Sequence, residues 1–67
     1  ELIQVTWELN SVNRERELQG LLEAMDYCRL KKGLILTFDQ QEETTAQDKK
    51  INVIPVWKWL LTEHKEN

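Results

Sequence analysis

Scarcity sets the first limits on this 67-residue chain, which has one Cys (Cys28), one His (His64), one Pro (Pro55) and two Gly (Gly20, Gly33). A single thiol excludes an internal disulfide and suits a reduced, cytoplasmic setting. A lone Cys and a lone His, 36 positions apart, provide no zinc-ligand spacing within one chain. Ser11 falls in a connecting stretch and Cys28 on a helical packing stripe, so neither pairs with His64 as a nucleophile with its base. Two isolated glycines leave no phosphate-cradling loop. No apolar run is long enough to span a bilayer, and no charged-apolar-small leader precedes the first strand pattern. Positive charge is short as well. Nine Lys and Arg face twelve Asp and Glu, for a net −3, and only Arg29-Lys31-Lys32 and Lys49-Lys50 cluster. That balance shows no basic face for a nucleic-acid backbone. The chain also lacks an initiator Met and begins inside an apolar strand pattern, the expectation being a fragment cut from a longer protein.

What is present points to a folded core. Apolar residues make up 40% of the chain and three Trp are among them, which argues against disorder. The length is that of one small domain, near the lower limit for folding alone.

In chain order, Ile3, Val5, Trp7 and Leu9 alternate with Gln4, Thr6 and Glu8, which predicts a strand over 2–9 with the apolar set buried. Asn10-Ser11-Val12-Asn13 connects it to a helix, with Asn13 as the expected N-cap. Leu18, Leu21, Leu22, Met25 and Cys28 form the apolar stripe, while Glu15, Gln19, Glu23 and Asp26 stay in water. Gly20 offers a place for close approach to the sheet. The helix should stop near Arg29 to Gly33, where cations and a Gly follow the last carbonyls. Leu34 to Phe38 is a near-continuous apolar run that suits a strand buried on both faces and paired in parallel. Asp39 to Lys50 reads as a polar loop, with Glu43-Thr44-Thr45 as a brief edge strand before a turn at Asp48-Lys49. Asp39 with Glu42 or Glu43 makes a carboxylate pair, read as solubilising. Ile51 to Ile54 is the next strand. Pro55 then opens a helix whose apolar face is Val56, Trp57, Leu60 and Leu61, with Trp59 at the rim. The tail from His64 to Asn67 should fray. The fold class is α/β: a small mixed sheet of three to four strands in the order β-α-β-(β)-β-α.

The order of motifs resembles a known family. Leu2-Ile3-Gln4-Val5, Asn13-x-x-Arg16-Glu17, Gly33-Leu-Ile-Leu-Thr37-x-Asp39 and Ile51-x-Val-Ile-Pro55-Val-Trp57-Lys-Trp59-Leu-Leu61 together are similar to the C-terminal end of archaeal and bacterial AAA-type ATPases. The last domain of those proteins has a PD-(D/E)xK, restriction-endonuclease-like fold. The resemblance implies a partial core of that fold over 1–67. It places ATP and Mg elsewhere in a parent protein and no cofactor in this chain. Active nucleases of the fold carry an acidic residue and a Lys two positions apart on one strand, where carboxylates hold a divalent metal. The matching positions here are Gln4 and Thr6. An amide is a poor substitute for a carboxylate on a hard cation, and a Thr cannot supply an ammonium charge. The expectation is a non-catalytic, nuclease-like module serving partner, assembly or nucleic-acid contact. Two other readings stand beside it. One is a metal-dependent nuclease with its remaining carboxylates upstream. The other is a dimerisation module that pairs through the exposed edge of the first strand, with Trp7 and Trp59 as anchors.

Overall fold

A computed structural model describes residues 2–63, with elements in the order β1 (Leu2–Val5), α1 (Arg14–Cys28), β2 (Lys32–Thr37), β3 (Glu42–Ala46), β4 (Lys49–Pro55) and α2 (Val56–Glu63). The strands form one sheet in the order β1-β2-β4-β3. β1, β2 and β4 run parallel, and β3 joins β4 antiparallel. This is the small mixed α/β sheet expected.

β2 has a neighbour on each side and is buried from Gly33 to Thr37. Its uninterrupted apolar run fits that place, because α1 packs against β1 and β2 while α2 packs against β4 and β2. The register aligns Gln4 with Ile35 and Ile35 with Val53, so one sheet face is shared by Leu2, Gln4, Gly33, Ile35, Ile51 and Val53. The face under α1 holds the core: Leu21, Leu22 and Met25 of the helix meet Ile35, Ile51 and Val53, with Leu9 beside them. Gly33 makes this closeness possible. A Cβ there would lie 2.7 Å from Met25 Sδ and 3.1 Å from Leu21 Cδ2.

Several sequence expectations change. β1 ends at Val5, and its faces are reversed. Ile3, Val5 and Trp7 are exposed, while Leu2, Gln4 and Thr6 are half-buried on the α1 side. Alternation fixes the period of a strand but not which side is covered; here the helix lies over the polar set. Asn13 makes no side-chain cap. Its Oδ1 accepts from Asn10 N–H at 2.9 Å and its Nδ2 donates to Glu8 O at 2.8 Å, so it braces the preceding turn instead.

Leu21, Leu22 and Met25 are buried as expected, but Cys28 is exposed because the helix ends on it. Arg29, in the left-handed region at φ 60° and ψ 43°, closes the helix, and Leu30 N–H reaches Met25 O at 2.8 Å. Gly33 is therefore a packing residue of β2, while Gly20 faces open space. The polar stretch supplies a full strand, β3. It is joined to β4 by a two-residue turn at Gln47 (φ 53°) and Asp48 (φ 66°), the geometry that a tight hairpin's twist requires. Pro55 ends β4 opposite Thr37, and the first helical residue is Val56. In α2, Trp57, Leu60 and Leu61 are exposed, and Val56 and Trp59 are half-buried. Trp59 thus lies further in than the stripe predicted. The expected fraying from His64 to Asn67 lies outside the described residues. No helix of the described residues is long and apolar enough to cross a membrane.

Candidate functional site

The two residues singled out by the motif, Gln4 and Thr6, do come together, and a third residue joins them. α1 lays its first turn over β1, which brings Glu17 above the polar pair. Glu17 Oε1 accepts from Gln4 Nε2 at 2.6 Å and from Thr6 Oγ1 at 2.9 Å. Gln4 Nε2 also reaches the Glu17 backbone oxygen at 3.2 Å. The other carboxylate oxygen, Oε2, lies 3.7 Å from Arg16 Nη2. The Glu17 side chain is only 24% exposed, so these neutral donors replace much of the water it gives up. Glu17 is also an acid in the first turn of α1, where the helix dipole favours negative charge. Its helical spacing to Leu21 and Met25, four and eight positions on, is the signal that it lies over the sheet.

This arrangement anchors a helix to a strand. A hard divalent cation takes six or more oxygens, commonly with more than one carboxylate among them. The cluster offers one carboxylate, one of whose oxygens already accepts two hydrogen bonds, beside an amide and a hydroxyl whose hydrogens point to it. These groups do not fit the metal site that the resemblance would place there. Among the described residues, no group of three or more His, Cys, Asp and Glu is arranged to hold a metal ion.

The carboxylates of the predicted loop are dispersed by the sheet. Glu42 pairs with Arg14 through both guanidinium nitrogens, with Nη1 to Oε1 at 2.9 Å. That hydrogen-bonded pairing holds the Glu42 carboxyl below its ordinary range and raises Arg14 above its own, with burial opposing both shifts. Glu43 lies 3.4 Å from Lys50. Asp39 stays apart, in the loop after β2.

The two cationic clusters, by contrast, merge. Lys32 is opposite Lys50 in the β2–β4 ladder, and Lys50 N–H donates to Lys31 O at 2.8 Å. Lys49 is buried, with Nζ 3.6 Å from Asp26 and 3.5 Å from Gln47 O. Five of the nine cations thus lie at the amino ends of β2 and β4.

Sequence reasoning missed Gln40. Leu9 N–H donates to its Oε1 at 2.7 Å and its Nε2 donates to Leu9 O at 2.8 Å, which locks the loop after β2 to the loop after β1. Thr37 Oγ1 fixes the Gln40 backbone on both sides, at 2.9 Å each. No local pattern announces such a long-range clamp.

Fold and cluster together define a small α/β unit whose polar strand face is used to hold its own helix. The chain is similar to an uncharacterised protein of Methanocaldococcus jannaschii, MJ1544, at 41% identity over 71 residues, covering 92% of this chain. The chain spans about 15% of the length of that relative. No family model and no solved structure matches it.

Proposed function

We propose that the chain is a non-catalytic, nuclease-like module at the C-terminal end of an AAA-type ATPase, serving as a contact domain within that larger protein. The observation that carries this reading is the Gln4–Thr6–Glu17 cluster. The two positions where an active enzyme of this kind would present an acid and a lysine hold an amide and a hydroxyl, both donating to a helix carboxylate. The length of the archaeal relative agrees with a module of something larger. In such a protein ATP and Mg belong to another domain, and the free edge of β1 would lie beside strands contributed from upstream. The compartment that fits is the cytoplasm.

The test uses a full-length protein that carries this module. Cleavage of linear and branched DNA or RNA with magnesium or manganese is expected to stay at background. Cleavage that disappears in a Gln4→Ala variant would overturn the reading.

The catalytic alternative needs a metal site built wholly from upstream carboxylates, because Glu17 is already engaged by Gln4 and Thr6. Calorimetry of the full-length protein separates the two readings. Magnesium or manganese binding favours the nuclease, and no metal binding favours the contact module.

A further inference from the structure

We propose that the cleft at the carboxyl ends of β1 and β2, formed by Trp7, Glu8, Phe38, Asp39 and Gln40, receives an arginine side chain from a protein partner. In open sheets the loops beyond the carboxyl ends of parallel strands form the usual binding crevice. Here those two loops are fixed in advance. The Gln40 amide bonds to both sides of the Leu9 backbone, and Phe38 N–H donates to Trp7 O at 3.0 Å. A cleft that is already ordered binds with less entropic loss.

What it displays is chemically specific. Trp7 and Phe38 are stacked, with ring centroids 4.6 Å apart and planes at 27°, yet they are 71% and 51% exposed. Two large aromatic rings held rigidly in water present a wide π surface that attracts cations. Glu8 and Asp39 are exposed beside them, and neither forms an ion pair among the described residues. The chain brings few cations of its own. Residues 2–13 and 33–48, which include both loops, contain no Lys or Arg, and five of the nine cations lie at the opposite end of the strands. Lys58 reaches the far edge of the second loop, donating to Gln41 Oε1 at 3.0 Å, and makes no ion pair with Glu8 or Asp39. The charge that would pair with those two carboxylates can therefore come from a partner.

Size and shape narrow the ligand. The cleft is about 280 Å³, room for a side chain and below the usual size of a cofactor site. A guanidinium suits it better than an ammonium, because it is planar, stacks on an aromatic face and can bond a carboxylate with two parallel N–H groups. The same aromatic pair also borders a wholly apolar hollow of about 130 Å³ with Val5, Leu36 and Val56. That places an aliphatic side chain of the partner next to its arginine, and a polypeptide supplies both.

The test is an amide- and indole-detected NMR titration of the full chain at constant ionic strength. The probes are N-acetyl-arginine methylamide, its uncharged citrulline isostere and the lysine analogue. Saturable shifts are expected at the Trp7 indole and at the amides of Phe38 to Gln40, with both comparison probes binding at least about fivefold more weakly. Glu8→Gln combined with Asp39→Asn should weaken arginine by about fivefold or more while leaving the spectrum dispersed, since both residues are exposed. Trp7→Leu should do the same; if that variant loses its fold, the acid-pair variant decides. Absence of saturable shifts at these groups overturns the proposal. So does equal binding of citrulline or lysine, or an acid-pair variant that binds arginine as the parent chain does.

Discussion

The two faces of the sheet are built to different standards. Beneath α1 the residues interlock: Met25, Ile35 and Ile51 are fully buried, and the helix comes so close to β2 that a Cβ at Gly33 would force Met25 to shift. On the other face α2 packs against β2 and β4 but leaves Ile3 46% and Val5 75% exposed at the β1 end. The difference teaches which part of the fold is self-sufficient. The α1 face carries the stability of this chain, and the outer face near β1 is surface with room for something else to cover it.

The largest effect should come from the sealed face. Met25→Ala empties the centre of the α1 contact and should cost about 2–5 kcal/mol in urea unfolding, a large fraction of what a chain this small possesses. Gly33→Ala probes the same contact from the strand side. With a Cβ 2.7 Å from Met25 Sδ, the thioether must move, and a loss of about 1–3 kcal/mol is expected despite the gain in strand propensity. Glu17→Ala removes the side-chain acceptor that Gln4 and Thr6 share, leaving Gln4 only the Glu17 backbone oxygen, for about 1–3 kcal/mol, with hydrogen exchange increasing in the first turn of α1.

A smaller effect belongs to the Arg14–Glu42 pair, whose side chains are 39% and 35% exposed. Its contribution is about 0–1 kcal/mol. Because the Glu42 carboxyl is held below its ordinary 4.5, that contribution is complete above the unfolded value and fades as pH falls through the folded one. The raised Arg14 remains protonated across this range. The stability gap between the parent chain and Glu42→Gln should therefore be present at pH 7 and shrink as pH falls below the ordinary carboxylate range. The smallest effect should be Val5→Lys, within about 0.5 kcal/mol. A cost there comparable with Met25→Ala would mean that the outer face is as tightly packed as the inner one, and the comparison would fail.

The order of elements was legible because each carries its own periodicity. The Leu34-Ile35-Leu36 run gave a strand covered on both faces, and Leu21, Leu22 and Met25 gave the helix stripe. Which side of β1 faces inward was not legible. Ile3, Val5 and Trp7 alternate just as a buried set would, and the choice was made by a partner eleven or more positions away, Glu17, which satisfies Gln4 and Thr6 on the covered side. That Gln4 and Thr6 carry an amide and a hydroxyl is plain from the residues themselves. Their actual employment as helix anchors was partly encoded in the spacing of Glu17 to Leu21. The helix stop at Arg29 was legible and the hairpin turn fell one residue from its expected place, but the left-handed backbone at Arg29, Gln47 and Asp48 was not, since none of them is a glycine. Gln40 was equally silent, because a clamp across 31 positions has no local signature.

The β3–β4 hairpin has a consequence for the order in which the chain assembles. Ala46 meets Lys49 across a two-residue turn, whereas Leu2 must find Gly33, 31 positions further along, before β1 can join the sheet. Short loops close at less entropic cost than long ones, and parallel pairing has no local nucleus. The hairpin can therefore form early as a scaffold for β2, while β1 arrives late with α1 as its tether. The strand that carries the motif residues is then the one whose docking completes folding, and its release is the first step by which the structure would come apart.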